Sequence, residues 1–568
     1  MAPEAAEIKK AKVTIDGREI EVPMGTTVLR AAKQLGIEVP VFCYHPGLSI
    51  PANCRMCLVE VEKSPKPLPA CYTEVSDGMV VRTQTEKVKA TQQAVLEFIL
   101  LNHPVDCPIC DQAGECVLQE HFVRFSAQPS RLFHEKIGKP KAKVLGPKVI
   151  LDAERCILCT RCVRFCEEVT KTNELTVEMR GEHSEITLPE GKVLDNDYSL
   201  SVVDICPVGA LTSREFRFQR RVWFLDQHAS VCTGCARGCN IRLDSHKNQV
   251  ERLVARYNGE VNRWWMCDAG RGSLAQRRDG ALKMGHVPGT DGESRQAPAI
   301  DGLQTTAQWL QELKLRNGRV GIAVSASLTN EDIYAFAGLA QALGAQVFLL
   351  PRTPWTGDAV LKTADRDCNT AGAKAILDVV SPGWGDAKAL TKAATQLDAL
   401  VLVDSEIGVS DDLLDALESI DQLVVLTDLP GPLADAADVL IPLTWLQQRD
   451  GTLVNVDGQV QRLAAPLKPA VTTVTPHAAA AHFAHYGAGV ELDLTERSRP
   501  DAIFDRIAAV VPAFAHLNYT EIGDYGRRLT HGAPLAESPA RVAGTPAWEP
   551  DPVAPSFARP FQLHRGAQ

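Results

Sequence analysis

The stretch ERCILCTRCVRFC, residues 154–166, decides how this chain is read, because it sets Cys156, Cys159, Cys162 and Cys166 at the spacing C-x2-C-x2-C-x3-C. In such a run the first three thiolates bind one iron–sulfur cluster and the fourth goes to a different one. A distal ligand is therefore required. Cys206, followed by Pro207, is the one plausible candidate nearby, giving a [4Fe–4S] set of Cys156, Cys159, Cys162 and Cys206. No second triad lies between Cys166 and Cys206, so Cys166 is expected to be a buried structural thiol.

Three further sets flank this one. Upstream, Cys43, Cys54, Cys57 and Cys71 combine a distant Cys, a C-x2-C pair and a later Cys, with a longer first gap than the plant-type C-x4-C-x2-C spacing. Pro51, Asn53 and Arg55 suit a tight loop whose N–H groups and positive charge face an anionic cluster, and a [2Fe–2S] centre fits. Structural zinc also accepts four thiolates, but more often between two C-x2-C pairs. Next comes His103, Cys107, Cys110 and Cys116, an H-x3-C-x2-C-x5-C string. Taken alone it also describes zinc held by three thiolates and an imidazole. Its place between two other sets favours a [4Fe–4S] cluster, and an imidazole replacing a thiolate tends to raise a cluster's potential. Downstream, Cys232, Cys235, Cys239 and Cys267 form a C-x2-C-x3-C string with one distant Cys, which can hold another [4Fe–4S] centre or, as in zinc ribbons, zinc. Cys166 and Cys368 are left over.

Of the 17 cysteines in 568 residues, 16 lie between Cys43 and Cys267. Clustered Cys in a long chain without an export signal points to metal or redox chemistry rather than disulfides. The start, MAPEAAEIKK, lacks an apolar signal core, and no run reaches the roughly 18 apolar residues of a spanning helix. A soluble cytoplasmic protein is expected. With 45% hydrophobic and 23% charged residues the composition is globular, and a net charge of −10 gives no reason to expect a nucleic-acid or anionic membrane surface. Protein partners fit better.

Local patterning supplies the frame. Residues 11–35 read as a hairpin around Asp16-Gly17 and a helix capped by Thr27. Residues 86–101 read as a helix with Val88, Val95, Phe98 and Ile99 on one face, ending near Pro104 and delivering His103. From about residue 300, apolar runs at 320–324, 346–350, 400–403, 423–426 and 439–443 alternate with helical segments such as 330–343 and 411–418, the signature of a parallel, helix-covered sheet. No Gly-x-Gly-x-x-Gly nucleotide loop occurs in residues 300–465, so no dinucleotide site is expected there. After about 466 the chain is rich in Ala and Pro and reads as a loose tail or a strap, with prolines 534, 539, 546, 550, 552, 555 and 560 opposing a compact core.

The order of these motifs resembles the G chains of NADH-quinone oxidoreductase. PANCRMC (51–57), HPVDCPICDQAGEC (103–116) and ERCILCTRCVRFC (154–166) carry the likeness, densest over residues 10–270; SLTNED (327–332), NTAGA (369–373) and DGTLVNVDGQVQR (450–462) add weaker support. The resemblance implies an α+β half followed by an α/β half: a β-grasp [2Fe–2S] ferredoxin-like domain (10–90), a one-His-three-Cys [4Fe–4S] domain (91–135), a ferredoxin-type [4Fe–4S] domain (140–218), a molybdopterin-oxidoreductase-type [4Fe–4S] domain (225–285), a truncated molybdopterin-oxidoreductase-like α/β domain (300–465) and a variable tail (466–568). It implies one [2Fe–2S] and three [4Fe–4S] clusters, no molybdopterin, and no bond-making site on this chain. It also implies electron flow from the flavin subunit to the [2Fe–2S] centre, then the Cys156 set, then the His103 set, with the Cys232 set to one side. Expected partners are the flavin/NADH-binding subunit and the ferredoxin-like subunit of the connecting arm, on the cytoplasmic side of the inner membrane. A molybdenum or tungsten formate dehydrogenase-like large chain is the main rival. It is opposed by DAGRG after Cys267, which lacks the lysine of that family, and by Cys368 as the sole later thiolate. The small diaphorase chain of NAD-reducing hydrogenases usually stops before the fourth set, and a zinc scaffold would be colourless.

Overall fold

The hairpin at the start forms where its alternation requires. In a computed structural model that describes residues 9–126, 129–273, 280–289, 293–403, 406–492 and 499–529, β1 (Lys10–Ile15) buries Ala11, Val13 and Ile15. It turns through Asp16 and Gly17, both at positive φ (46° and 78°), into β2 (Arg18–Pro23), the backbone twist a two-residue hairpin loop needs. Helix α1 (Val28–Gln34) lays Val28, Ala31 and Ala32 into the same core. Strands β3 (Leu58–Val61), β4 (Leu68–Pro69) and β5 (Met79–Arg82) complete a five-stranded sheet in the order β2-β1-β5-β3-β4, with β1 and β5 parallel. Thr27 precedes α1 as expected but its hydroxyl makes no capping bond; its backbone is instead bridged to Glu74.

Helix α2 (Glu86–Leu100) is capped by Thr85, whose hydroxyl accepts from Val88 N at 3.2 Å. Its buried stripe is Val88, Gln92 and Leu96. Phe98, expected on that face, is 73% exposed because the i, i+4, i+8 stripe turns it to the flank. Beyond it lie α3 (Val117–Phe125), α4 (Arg161–Glu168), α5 (Ser201–Ile205) and a small sheet in which Val149–Leu151 is central.

Chain contacts divide the protein at Leu225/Asp226 into two compact units. The second begins with an antiparallel meander, Asp226–Val231, Asn240–His246 and Gln249–Ala255, followed by the short helix α6 (Asp268–Gly272). A seven-stranded sheet follows, in which Val439–Pro442, Gln422–Thr427, Ala399–Val403, Val320–Ser325 and Gln346–Leu350 run parallel in that order. All five anticipated strands are therefore there. Successive residues go to opposite faces: Val401 and Val403 enter one core, Leu400 and Leu402 the other, as a sheet covered on both sides demands. Among the described residues no helix is long and apolar enough to cross a membrane.

The boundary at 466 requires correction. Ala479, Ala480, Phe483, Ala484, Phe504, Ile507 and Phe514 all belong to the larger core, and a Cβ on Gly487 would lie 3.0 Å from Leu310 Cβ. The Ala and Gly content reflects close helix packing, not looseness. The proline run from 534 to 560 lies outside the described residues. Phe504→Ala should cost about 3–5 kcal/mol, the usual cost of emptying a buried aromatic site, seen as a lower denaturant midpoint. A change under about 1 kcal/mol would contradict core membership.

The three weaker motif segments meet inside this unit. Asn369 Nδ2 donates to Leu328 O and to Asn330 Oδ1, while Val454 N donates to Asn369 Oδ1 at 2.7 Å. Buried Glu331 accepts from Thr452 N, Thr452 Oγ1 and Tyr519 OH at 2.8, 2.9 and 3.0 Å. Burial outweighs these bonds and lifts its carboxyl from 4.5 to about 7. The unfolded chain therefore releases this proton first, so Glu331 makes stability fall as pH rises from about 4.5 to 7. In Glu331→Gln that part of the decline should vanish from denaturation curves taken across the interval; an unaltered slope would refute the assignment.

Candidate metal centres

Most of the anticipated ligands sit in irregular loops between regular elements, while Cys162 lies in the first turn of α4. Cys43, Cys57 and Cys71 are buried and Cys54 partly so. Cys43 N donates to Cys54 Sγ at 3.4 Å, and Ala52 and Arg55 adopt left-handed φ of 49° and 59° to fold the loop back. The thiols associate two by two. The Cys43 thiol bonded to Cys54 holds the latter down at about 5, and Cys71 likewise lowers Cys57, while Cys43 and Cys71 are pushed up. Four thiols gathered in this way can hold a two-iron centre.

In the second set, Cys107 opens a short 3-10 turn, Cys110 closes it and Cys116 precedes α3. His103 Nδ1 is buried with no hydrogen-bond partner, and burial lowers the imidazole to about 4. It is thus neutral, with a nitrogen unclaimed by the protein, the state a metal ligand requires. Arg155 pairs with Asp106 at 2.6 Å and Asp152 at 3.3 Å behind the loop, and Arg221 Nη1 donates to Cys110 O at 2.7 Å.

Cys156, Cys159, Cys162 and Cys206 together line one cavity, whose walls also include Arg161, Leu151, Ile186, Val208 and Leu211. Cys206 is thus brought to the same cavity as the three thiols of the string. Leu158 and Thr160 sit at left-handed φ of 53° and 59°, an arrangement costing about 1–2 kcal/mol per non-glycine residue. It turns Leu158 N toward Cys156 Sγ at 3.4 Å. Desolvation raises Cys156 to about 12 and Cys206 to about 11, so bare thiolates here would be unfavourable without a cation. Cys166, on α4, is fully buried and is not part of that lining.

In the second unit, Cys232, Cys235 and Cys239 fill the loop between the first two meander strands, closed by Cys232 N donating to Cys239 O at 2.8 Å. Cys267 Sγ accepts from Gly270 N at 3.3 Å. Gly270 and Gly234 face each other beside these sulfurs; a Cβ on Gly270 would lie 2.9 Å from Cys232 Sγ. Arg352 Nη2 donates to Thr233 O at 3.2 Å and Ala236 N to Asp365 O at 3.0 Å, clamping the loop. Cys368 packs with Val231, Leu446, Leu453 and Leu463 and its thiol donates to Ser327 O at 3.3 Å. It is a core residue. Among the described residues no three His, Cys, Asp or Glu meet as a single-ion site.

The first three sets share residues that spacing did not reveal. Arg164 Nη2 donates to Cys43 O at 2.6 Å and to Cys159 O at 3.4 Å, and Asn53 Nδ2 donates to Leu158 O at 3.3 Å. The segment after Cys206 lies against the His103 set: Val117 N donates to Pro207 O at 3.0 Å, and a Cβ on Gly209 would overlap Cys110 Sγ.

Comparison with known proteins agrees with this layout. Family models match the 2Fe-2S iron-sulfur cluster binding domain over residues 9–86, the NADH-ubiquinone oxidoreductase-G iron-sulfur binding region over 92–131, and the NADH-quinone oxidoreductase subunit 3 ferredoxin-like domain over 146–212. Cluster domains of both two-iron and four-iron type are therefore present. The NADH-quinone oxidoreductase G chain of Rickettsia felis is 41% identical over 334 residues, 59% of this chain and 49% of that protein. Over that stretch the chain is similar to the NADH-quinone oxidoreductase G chains. The corresponding G chain of Streptomyces coelicolor is 41% identical, covering 58% of this chain and 39% of its own length. The mitochondrial NADH dehydrogenase [ubiquinone] iron-sulfur protein 1 of Solanum tuberosum is 42% identical, covering 53% and 41%. The chain thus spans about half the length, or less, of these relatives. A crystal structure of NAD+-reducing [NiFe]-hydrogenase in the H2-reduced state overlaps 37% of this chain and 91% of that chain at 28% identity and a TM-score of 0.32.

Gly209→Ala should disturb the His103 set while sparing the Cys43 set. Spin-resonance spectra of the reduced chain should show one four-iron signal lost or broadened and the two-iron signal unchanged; identical spectra would contradict the contact.

Proposed function

We propose that this chain is the iron–sulfur electron-relay subunit of an NADH-quinone oxidoreductase, carrying electrons from the flavin/NADH-oxidising subunit toward the quinone-reducing arm. Its ligands would be Cys43, Cys54, Cys57 and Cys71 for a [2Fe–2S] cluster, and His103 with Cys107, Cys110 and Cys116, Cys156 with Cys159, Cys162 and Cys206, and Cys232 with Cys235, Cys239 and Cys267 for three [4Fe–4S] clusters. Each cluster, when bound, supplies a one-electron site. The single observation that carries the reading is the cavity walled by Cys156, Cys159, Cys162 and the distant Cys206.

What the protein's own residues do is fix donors, exclude water and hold charge. A relay needs centres in a rigid, dry matrix, with potentials tuned by hydrogen bonds and burial. Buried thiols, the neutral His103 and the arginines of α4 are such a matrix. The domain divisions expected from the sequence up to residue 465, the molybdopterin-oxidoreductase-like ancestry of the α/β half, docking to the flavin subunit and to a ferredoxin-like subunit, and a peripheral position on the cytoplasmic face belong to the same proposal.

Iron and acid-labile sulfide analysis with spin resonance tests it: one two-iron and three four-iron signatures are expected, and zinc without iron would sink it. His103→Cys should keep its cluster and lower the potential, since a thiolate adds negative charge; an unmoved potential would argue against ligation by His103. Cys166→Ser should spare every cluster, and loss of the Cys156-set signal would overturn that.

A further inference from the structure

Arg161 opens α4 one residue before Cys162, and its side chain is only 3% exposed. Its guanidinium is held at two corners. Nη1 donates to Ile205 O at 3.1 Å, the residue before the distal ligand Cys206, and Nη2 donates to Tyr44 O at 2.6 Å, the residue after Cys43. The third nitrogen, Nε, is buried and has no acceptor. Arg161 lines the same cavity as Cys156, Cys159, Cys162 and Cys206.

The charge balance is as unusual as the hydrogen bonding. Among the described residues no carboxylate pairs with Arg161; the ionisable groups acting on it are the thiols of Cys159, Cys206 and Cys43 and the neighbouring cation Arg164. Nearby His45 is kept neutral by burial and by these two arginines. A buried guanidinium without a counter-ion is strongly unfavourable, and so is an N–H left without an acceptor. Both deficits are met by an anionic, sulfur-rich group in the cavity.

We infer that Arg161 is a positioning and potential-setting residue for the Cys156-set cluster, giving it a buried positive charge and an Nε–H donor to sulfur. The inference rests on the cluster assignment above and adds the residue that tunes it. Hydrogen bonds to cluster sulfurs and local net charge are established levers on potential, and both act in the same direction here, favouring the reduced, more negative state. The two carbonyl anchors keep the fork from swinging away, so the donor costs little ordering when the centre is filled.

The test uses the full chain, purified anaerobically, with the Cys156-set signal identified by its loss in Cys162→Ser. Arg161→Met keeps the length and apolar stem but removes charge and donor. Its redox titration should show that centre with a lowered midpoint potential, and pulsed double resonance after exchange into deuterated water should lack one exchangeable proton coupling present in the parent. Arg161→Lys should recover part of the potential but not the coupling. An unchanged potential and coupling in Arg161→Met would overturn the inference. Should that variant fail to assemble, Arg161→Lys decides: loss of the coupling supports the donor role and retention overturns it. A parent chain without iron would sink the underlying assignment instead, so the two failures are distinguishable.

Discussion

The contact on which the first unit's functional architecture depends is a guanidinium held between two ligand loops. Arg164 reaches from α4 to the carbonyls of Cys43 and Cys159, one residue from each of two sets. Because α4 also carries Cys162, the helix fixes both loops at once. A polar group this buried is tolerated only when its donors are satisfied, and here satisfying them requires the two loops to keep their places. The chain after Cys206 acts comparably on the other side, where Pro207 and Gly209 lie against Cys116 and Cys110. The Cys156 set is therefore in the middle, tied to the Cys43 set by arginines and to the His103 set by backbone.

The second unit solves a related problem with different means. Its cysteine loop is pinched by two facing glycines and by segments arriving from far along the chain, including Arg352 and Asp365. Behind it, Asn330, Glu331, Asn369 and Thr452 form a buried polar network. Such a network is stable only when nearly complete, which is why three segments remote in sequence carry polar residues in otherwise apolar surroundings.

Much of this was legible beforehand, and unevenly. Ligand spacings could be read because thiolate loops are local, and Cys206 could be deduced because three thiolates leave a valence to fill. The parallel strands were legible because both faces are covered, so each strand is a short unbroken apolar run. The arginines were not: nothing in RCVRFC marks Arg161 and Arg164 as buried, and only the fold shows them between loops. Gly209 carried no signal either, since its role is the sulfur from another segment beside it. The stretch from 466 to 529 was misread because alanine is ambiguous, serving loose chain and tight helix packing alike. Phe98 was misplaced because two adjacent helical stripes fitted the same spacing.

The account stands on the first three sets being filled by iron–sulfur clusters near enough to interact, with the Cys156 set between the other two. The most direct measurement is magnetic: spin relaxation of each signal as the intact chain is reduced stepwise. The Cys156-set signal should be broadened or relaxed faster by reduction of either neighbour, while the Cys43 and His103 sets should affect each other less. Three signals that stay independent at every stage of reduction would contradict the account.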